Sequence, residues 1–424
     1  MHIGSALEKL GDEVVDHRFR GLPPDADGRT VRDLAAERRN LHRGGFTTPV
    51  LTLSAEAVEH NLRSMERFCS RHGLAFAPHG KTSMAPQLFR RQLDHGAWGI
   101  TVAVPHQARV ARAYGVPRIF LANEVVDEAA LAWLARELDR DPGFRCVVYA
   151  DSVHGVRLMD AALTAAGARR PLEVVVELGA AGARSGVRTV ARAAEVADAV
   201  TAAPALRLTG VAGYEGELMD ADASRVRGWM RELVSLAVEF DKAGRFQQTE
   251  EVIVSAGGSA WFDVVAEVFQ ELPALSRPVC RLLRSGAYIS HDDGRYRAVT
   301  PFNRIPQEGS LLPAFRLWTQ VISRPEPDLA LVNAGKRDVA YDLGLPEVQV
   351  IREPGGRMRS GAGLTVSRLA DQHAFVRGPE EKLPQVGDWV GLGMSHPCTI
   401  FEKWPLIPLV AGDGTVTDYI RTVF

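Results

Sequence analysis

LAFAPHGKTSM, residues 74–84, decides how this chain is to be read. It runs into Gly80, Lys81 and Thr82, the three residue types that close a phosphate-binding loop of the form G-x-x-x-x-G-K-[ST]. Such a loop also needs a glycine five positions before Gly80, so that successive N–H groups can wrap the phosphates. That position is Ala75, and the nearest glycine is Gly73. The intervening LAFAP is an apolar run, better suited to a buried strand than to a flexible cradle. The stretch therefore predicts a strand that delivers a lysine at its end. Taken alone, Lys81 also fits a surface lysine opening a helix.

Working outward, short runs rich in Val, Ile and Leu alternate with helical patterns. The runs are LAFAPH (74–79), GITVAV (99–104), RIFLAN (118–123), RCVVYA (145–150), EVVVEL (173–178), LTGVAGY (208–214), EVIVSAGG (251–258) and CRLLRSG (280–286). Near-continuous apolar strands separated by helices indicate a parallel sheet covered on both faces. Eight of them predict an α/β fold, a (β/α)8 TIM barrel, with a doubly wound open sheet as the alternative. The open sheet would need a G-x-G-x-x-G turn after its first strand to hold a dinucleotide, and APHGKTSM is not one. From about residue 293 the pattern changes. Strand-like pieces such as RLWTQVIS, LALVNAG, HAFV and DWVGLGM are separated by Gly, Pro and Asp, and read as a mostly β domain. The early piece TPVLTLS (48–54) is surplus to the eight and is expected to join it. The expected organisation is an N-terminal segment, 1–52, packing with the β domain; a barrel, 53–292; and the β domain, 293–424.

Composition narrows the function. The chain has 424 residues, 46% hydrophobic and 24% charged, enough for a large core and two domains. With 50 basic and 52 acidic residues it has no basic excess for nucleic acid or an anionic membrane. Its first residues carry charges throughout and lack the apolar centre of a signal peptide. No apolar run approaches the ~20 residues of a membrane helix. The cysteines, Cys69, Cys146, Cys280 and Cys398, are few and far apart. Reduced thiols in a cytoplasmic protein are the expectation.

In TIM barrels the active site lies at the C-terminal ends of the strands, and a phosphate often sits on the loops after strands seven and eight. Lys81 follows strand one, and AGGSA (256–260) follows strand seven. Gly257, Gly258 and Ser259 would offer unhindered N–H groups at a helix start. ELGAAGARSG, carrying Arg184, follows strand five. Singly, the Gly-Gly pair fits a plain turn and Arg184 a surface ion pair. Together, a lysine, a phosphate cradle and an arginine on one rim suggest pyridoxal phosphate bound through a Schiff base.

These residues carry a family resemblance. PHGKTSMAPQLFRRQLDHGAWGITVAVPHQA resembles the lysine segment of the D-serine dehydratase and D-threonine aldolase family, pyridoxal-phosphate enzymes of the alanine racemase fold. His79, Lys81, Thr82 and Pro86 match H-x-K-T-x-x-x-P, followed by Gln92, Gly96, Ala97 and GITVA at 99–103. The likeness continues through VELGAAGARSGV, GVAGYEGE, SAGGSAWF, LRSGAYISHDDGRY, DQHAFV and VGDWVGLGMSHPCTIF. Glu177 stands where many relatives have an aspartate. The resemblance implies that Lys81 holds the cofactor and abstracts the substrate's α-proton. It places His79, Arg184, Tyr214, Ser255, Gly257, Gly258, Ser259 and Tyr288 around the cofactor, and implies a homodimer.

GMSHPC (393–398) suggests a second site. His396 and Cys398 are two apart, so on a strand both side chains would point the same way. Imidazole plus thiolate suits zinc, though two ligands alone also fit a core His and Cys. The resemblance implies a zinc on this pair, completed by water and substrate. Relatives with aspartate in place of the cysteine prefer a harder ion such as manganese. His373, in DQHAFV, reads as a packed β-domain histidine. The expected function is a pyridoxal-phosphate- and zinc-dependent lyase. It would convert a β-hydroxy D-amino acid to a 2-oxo acid and ammonia. Retro-aldol cleavage to glycine and an aldehyde is the alternative, and a non-catalytic pyridoxal-phosphate carrier is an alternative of another class.

Overall fold

The early strand Val50–Ser54 (β1) stays out of the parallel sheet, and all eight apolar runs enter it. In the computed structural model, which describes residues 3–218 and 222–424, these eight are Ala75–Phe76 (β2), Ile100–Val102 (β3), Arg118–Glu124 (β4), Arg145–Ala150 (β5), Leu172–Leu178 (β6), Leu206–Gly213 (β7), Val252–Ala256 (β8) and Val279–Leu283 (β9). Every candidate site residue falls among those described. The strand order is β2-β9-β8-β7-β6-β5-β4-β3, parallel throughout. The two terminal strands meet through a His79–Thr101 bridge and the N–H of Trp98 on the Phe76 carbonyl, 2.7 Å. The sheet therefore curls round into a TIM-like barrel. Its interior is filled by Ala77, Phe120, Val147, Tyr149, Val175, Ala212, Ile253, Cys280 and Leu282, side chains that several strands turn inward. Burial on both faces is why the strands read as unbroken apolar runs.

The helices between the strands are amphipathic. Ala223–Lys242 buries Val226, Trp229, Met230, Leu233, Val234, Ala237 and Phe240, the 3–4 spacing of one helical face. Asp222 caps it, accepting the Arg225 N–H at 2.8 Å.

The chain divides into two compact units. One is Glu66–Lys81 with Gln92–Gly286, the barrel. The other is Met1–Met65, Thr82–Arg91 and Ala287–Phe424. The second unit is built on a mostly antiparallel sheet. Its strands, besides β1, are Phe315–Glu326 (β10), Leu329–Val332 (β11), Glu347–Arg352 (β12), Met358–Ser360 (β13), Thr365–Leu369 (β14), Ala374–Arg377 (β15), Trp389–Gly393 (β16), Leu406–Val410 (β17) and Val416–Arg421 (β18). The order is β13-β12-β16-β10-β1-β17-β18, and the long β10 also pairs with β11, which continues to β15 and β14. β1 lies between β10 and β17, so the surplus strand does join the β unit. Val15, Phe19, Leu22, Val31, Leu34 and Phe46 of the N-terminal segment pack against Val50, Trp318, Leu406 and Tyr419 of this sheet. No helix among the described residues is long and apolar enough to cross a membrane.

Candidate active site

In the barrel unit Lys81 is half-buried, in the tight turn Gly80–Thr82 that follows β2. His79 precedes it, its N–H donated to the Ser285 carbonyl at 3.1 Å. Burial, then the charges of Arg284, Lys81 and Arg184, hold its imidazole well below the usual histidine range. His79 is therefore a neutral ring at physiological pH.

The turn after β7 holds a carboxylate that sequence reasoning missed. Glu215 is 1% exposed, and its Oε2 accepts the Gly257 N–H at 2.9 Å. Burial pushes its pKa up, against backbone N–H donors and Arg284. The glycine pair is thus a carboxylate cradle in this structure, at least at Gly257. Nor does it stand at a helix start: the following helix is Phe262–Phe269. What the pair does provide is close approach. Gly257 has φ +118°, and a Cβ there would lie 2.6 Å from Leu283 Cδ1. A Cβ on Gly258 would lie 2.7 Å from Tyr214 Cε2. Ser259 Oγ is 3.2 Å from Ser285 Oγ. Ser255 is fully buried and donates its hydroxyl to the Leu282 carbonyl at 3.0 Å, inside the sheet.

Arg184 sits on the loop after β6. It pairs with Glu217 at 3.0 Å and lies over the Tyr214 ring, 5.0 Å from its centroid. Burial and then Glu215 push the Tyr214 phenol up to about 12. Tyr288 belongs to the other unit, buried in the turn Ala287–Ile289.

Arg284, just past β9, is the centre of the cluster and was not singled out from sequence. It is 1% exposed. It donates Nη2–H to the Gly213 carbonyl and stacks near Phe120 and Tyr149, 5.3 and 5.8 Å from their centroids. Its charge acts on His79, Tyr149, Glu177, Tyr214 and Glu215 alike. Glu124 ends β4, and Glu177 lies one residue before the end of β6. Burial, then each other's presence, pushes the Glu124 carboxyl up, so the pair retains a proton that isolated carboxylates would lose.

Several buried polar atoms in this cluster have no partner among the described residues: His79 Nδ1, Tyr149 hydroxyl, Glu177 Oε2, Glu215 Oε1 and Arg284 Nε. Orphans of this kind are rare in native proteins and point to a missing polar ligand. Donors, acceptors, a lysine amine and close-approach glycines fit an aromatic phosphate cofactor such as pyridoxal phosphate.

The His-x-Cys pair lies in the other unit, and not on a strand as the spacing predicted. β16 ends at Gly393, and Cys398 opens the short helix Cys398–Phe401. His396 is left-handed at φ +60° and Pro397 is helical, so a turn sets the side chains. A non-glycine residue in that region costs about 1–3 kcal/mol and persists only where its surroundings over-determine it. They do so here. The His396 N–H goes to Asp292 Oδ2 at 3.0 Å, and its Nδ1 lies 2.5 Å from Asp342 Oδ2. Asp292, from HDDGRY, also accepts the N–H groups of Gly294, Tyr296 and Arg297. The neighbouring Cys398 thiol, then Asp342, push His396 up to about 9. Cys398 is half-exposed, 3.5 Å from the hydroxyl of Thr82. Imidazole and thiol thus sit within reach of each other, a donor set that fits a zinc-like ion. Among the described residues no three His, Cys, Asp or Glu side chains converge to hold a metal, so the protein would supply two ligands. His373 is exposed rather than packed, because it lies in the turn between β14 and β15.

A lysine-bearing TIM-like barrel with a β unit defines the class: an enzyme of the alanine racemase fold. Residues 53–270 match the alanine racemase N-terminal domain, and residues 314–410 match a serine dehydratase domain. The chain is 30% identical over 375 residues to a D-threonine aldolase of Arthrobacter sp, covering 88% of this chain and 90% of that one. Its fold is similar to that of a D-threonine aldolase from Filomicrobium marinum, with TM-score 0.75, 25% identity, and 89% and 95% of the two chains covered. It is also similar to that of a D-threo-3-hydroxyaspartate dehydratase from Delftia sp. HT23, with TM-score 0.67, 20% identity, and 91% and 99% covered. The chain belongs to this family of alanine-racemase-type lyases, and membership implies pyridoxal phosphate. The carrier alternative is set aside.

Proposed function

We propose that the protein dehydrates a β-hydroxy D-amino acid of the D-serine or D-threonine type. Water leaves across Cα–Cβ, and hydrolysis of the resulting enamine gives a 2-oxo acid and ammonia. The observation that carries this reading is the His396–Cys398 pair, a soft donor set held in a strained, over-determined turn. Pyridoxal phosphate, when bound, supplies an electron sink for charge left at Cα. Lys81 would hold it and, once released, act as the base that removes the α-proton. Arg284, Tyr214 and the glycine pair would line its pocket, and His79, held neutral by burial, would offer a ring without added charge. His396 and Cys398 would hold zinc, with manganese or another divalent ion as the substitute, to stabilise charge on the departing hydroxyl. Support comes from variants of a D-threo-3-hydroxyaspartate dehydratase of the same fold. In them a histidine and a cysteine two positions apart were each replaced, and the cysteine variant is described in a metal-free form.

Retro-aldol cleavage to glycine and an aldehyde is the second reading, favoured by the aldolase at 30% identity. The chain is also read as a cytoplasmic homodimer, in keeping with four free thiols, three of them buried. The deciding experiment incubates the enzyme with D-serine, D-threonine, D-3-hydroxyaspartate and D-phenylserine, measuring 2-oxo acid, ammonia, glycine and aldehyde separately. Ammonia and 2-oxo acid in equal amounts support dehydration. Glycine and aldehyde from every substrate, with no ammonia, overturn it.

A further inference from the structure

We infer that Asp342 is a positioning residue for the metal: it engages Nδ1 of His396 and leaves Nε2 as the coordinating atom. The inference rests on the metal reading above and concerns a residue that sequence did not mark. Asp342 uses both carboxylate oxygens. Oδ2 lies 2.5 Å from His396 Nδ1, and Oδ1 accepts the Thr399 hydroxyl at 2.9 Å. The loop that carries it is pinned in turn, because Ser395, next to His396, donates its hydroxyl to the Leu343 carbonyl at 2.9 Å. Carboxylate, imidazole and backbone thus form one braced unit.

The brace has a chemical consequence. A neutral imidazole has one N–H and one lone pair, and the hydrogen bond made by one nitrogen dictates the state of the other. A carboxylate on Nδ1 keeps the proton there, so the lone pair is on Nε2, and it raises the basicity of that nitrogen. An incidental surface pair would leave the ring free to turn. Here the backbone N–H on Asp292 and the ring contact on Asp342 fix both ends of the residue. The Asp342 side chain is 45% exposed, so its replacement does not open a core.

The test uses cofactor-loaded enzyme stripped of metal by chelator, then titrated with zinc against a competing chelator and, separately, with cobalt. His396→Ala should abolish tight zinc uptake. Asp342→Ala should weaken zinc roughly 10- to 100-fold and change the cobalt absorption bands. Asp342→Asn, which keeps an acceptor for Nδ1–H, should fall between. Cofactor absorbance should be the same in all variants, which separates ligand positioning from unfolding. If wild type takes up no zinc, or His396→Ala binds it equally well, the metal reading fails and the inference with it. If His396→Ala loses zinc but Asp342→Ala matches wild type in affinity and cobalt spectrum, the metal reading stands and Asp342 is only a surface ion-pair partner.

Discussion

Replacing Arg284 by methionine keeps the volume of the side chain and removes its charge from the centre of the barrel cluster. The guanidinium is 1% exposed and acts on two buried carboxyls, Glu177 and Glu215. Removing one partner from a buried charged set typically costs about 3–5 kcal/mol, because the charge left behind is uncompensated. The two carboxyls can escape part of that cost by keeping their protons, so the deficit should depend on pH. Both have folded pKa values above the ordinary 4.5 for a glutamate. Stability from such a group is fully present below the unfolded pKa and is lost as pH rises through the folded one, by about 1.4 kcal/mol for each unit in which only the native state holds the proton. Without Arg284 both folded values move higher still. The variant should therefore be near wild type at about pH 5 and about 3 kcal/mol less stable at about pH 8. Because the two units need not unfold together, native-state hydrogen exchange of β8 and β9 amides in the cofactor-free protein is the suitable assay. Adding Glu215→Gln should restore part of the loss at the higher pH. A variant that matches wild type at both pH values would show that the arginine does not compensate these carboxyls, and the electrostatic account of the site would be wrong.

Borohydride reduction should fix the cofactor on Lys81, and Lys81→Ala should abolish turnover; mass spectrometry that finds the label elsewhere would remove the assignment. Gly258→Ala drives a methyl to within 2.7 Å of Tyr214 Cε2. It should weaken cofactor binding by at least roughly tenfold, equivalent to about 1.4 kcal/mol, read by equilibrium dialysis. Chelation, or Cys398→Ala, should leave cofactor absorbance and exchange of the substrate's α-hydrogen with deuterated water intact. Loss of hydroxide should fall by orders of magnitude, whereas β-chloro-D-alanine should be much less affected; hydroxide loss at the wild-type rate without metal would make the pair structural. Sedimentation should show a dimer, and a fully active monomer at micromolar concentration would contradict the assembly.

Much of the barrel was legible because burial on both faces writes β4 to β9 as unbroken apolar runs. β2 was overextended: LAFAPH holds only a two-residue strand, since Pro78 and the Gly80–Thr82 turn end it. The charges that organise the site were also written, in RIFLANE, VVVELG, GYEGE and CRLLRSG, which place Glu124, Glu177, Glu215 and Arg284 at or within two residues of the C-terminal ends of β4, β6, β7 and β9. A charge at the C-terminal end of a barrel strand is the signal that could have found them. Other features depend on backbone conformation or tertiary pairing, which spacing does not carry. His396 and Cys398 meet through a left-handed residue rather than through strand alternation. Asp342 meets His396 across 54 residues of chain.

The placement of β1 has a consequence for biosynthesis. Its neighbours in the sheet are β10 and β17, and the pairing of Leu53 with Phe315 spans about 260 residues of chain. At ~5–20 residues per second a ribosome needs on the order of 13–50 s to cover that distance. For that interval VLTLS, with four of its five residues buried in the finished protein, has no sheet to enter. The nascent chain carries an unpaired apolar strand while the barrel sequence is being made, a natural client for a holding chaperone. Stalling synthesis just before β10 should therefore raise both chaperone occupancy and aggregation, and stalling after β17 should relieve them.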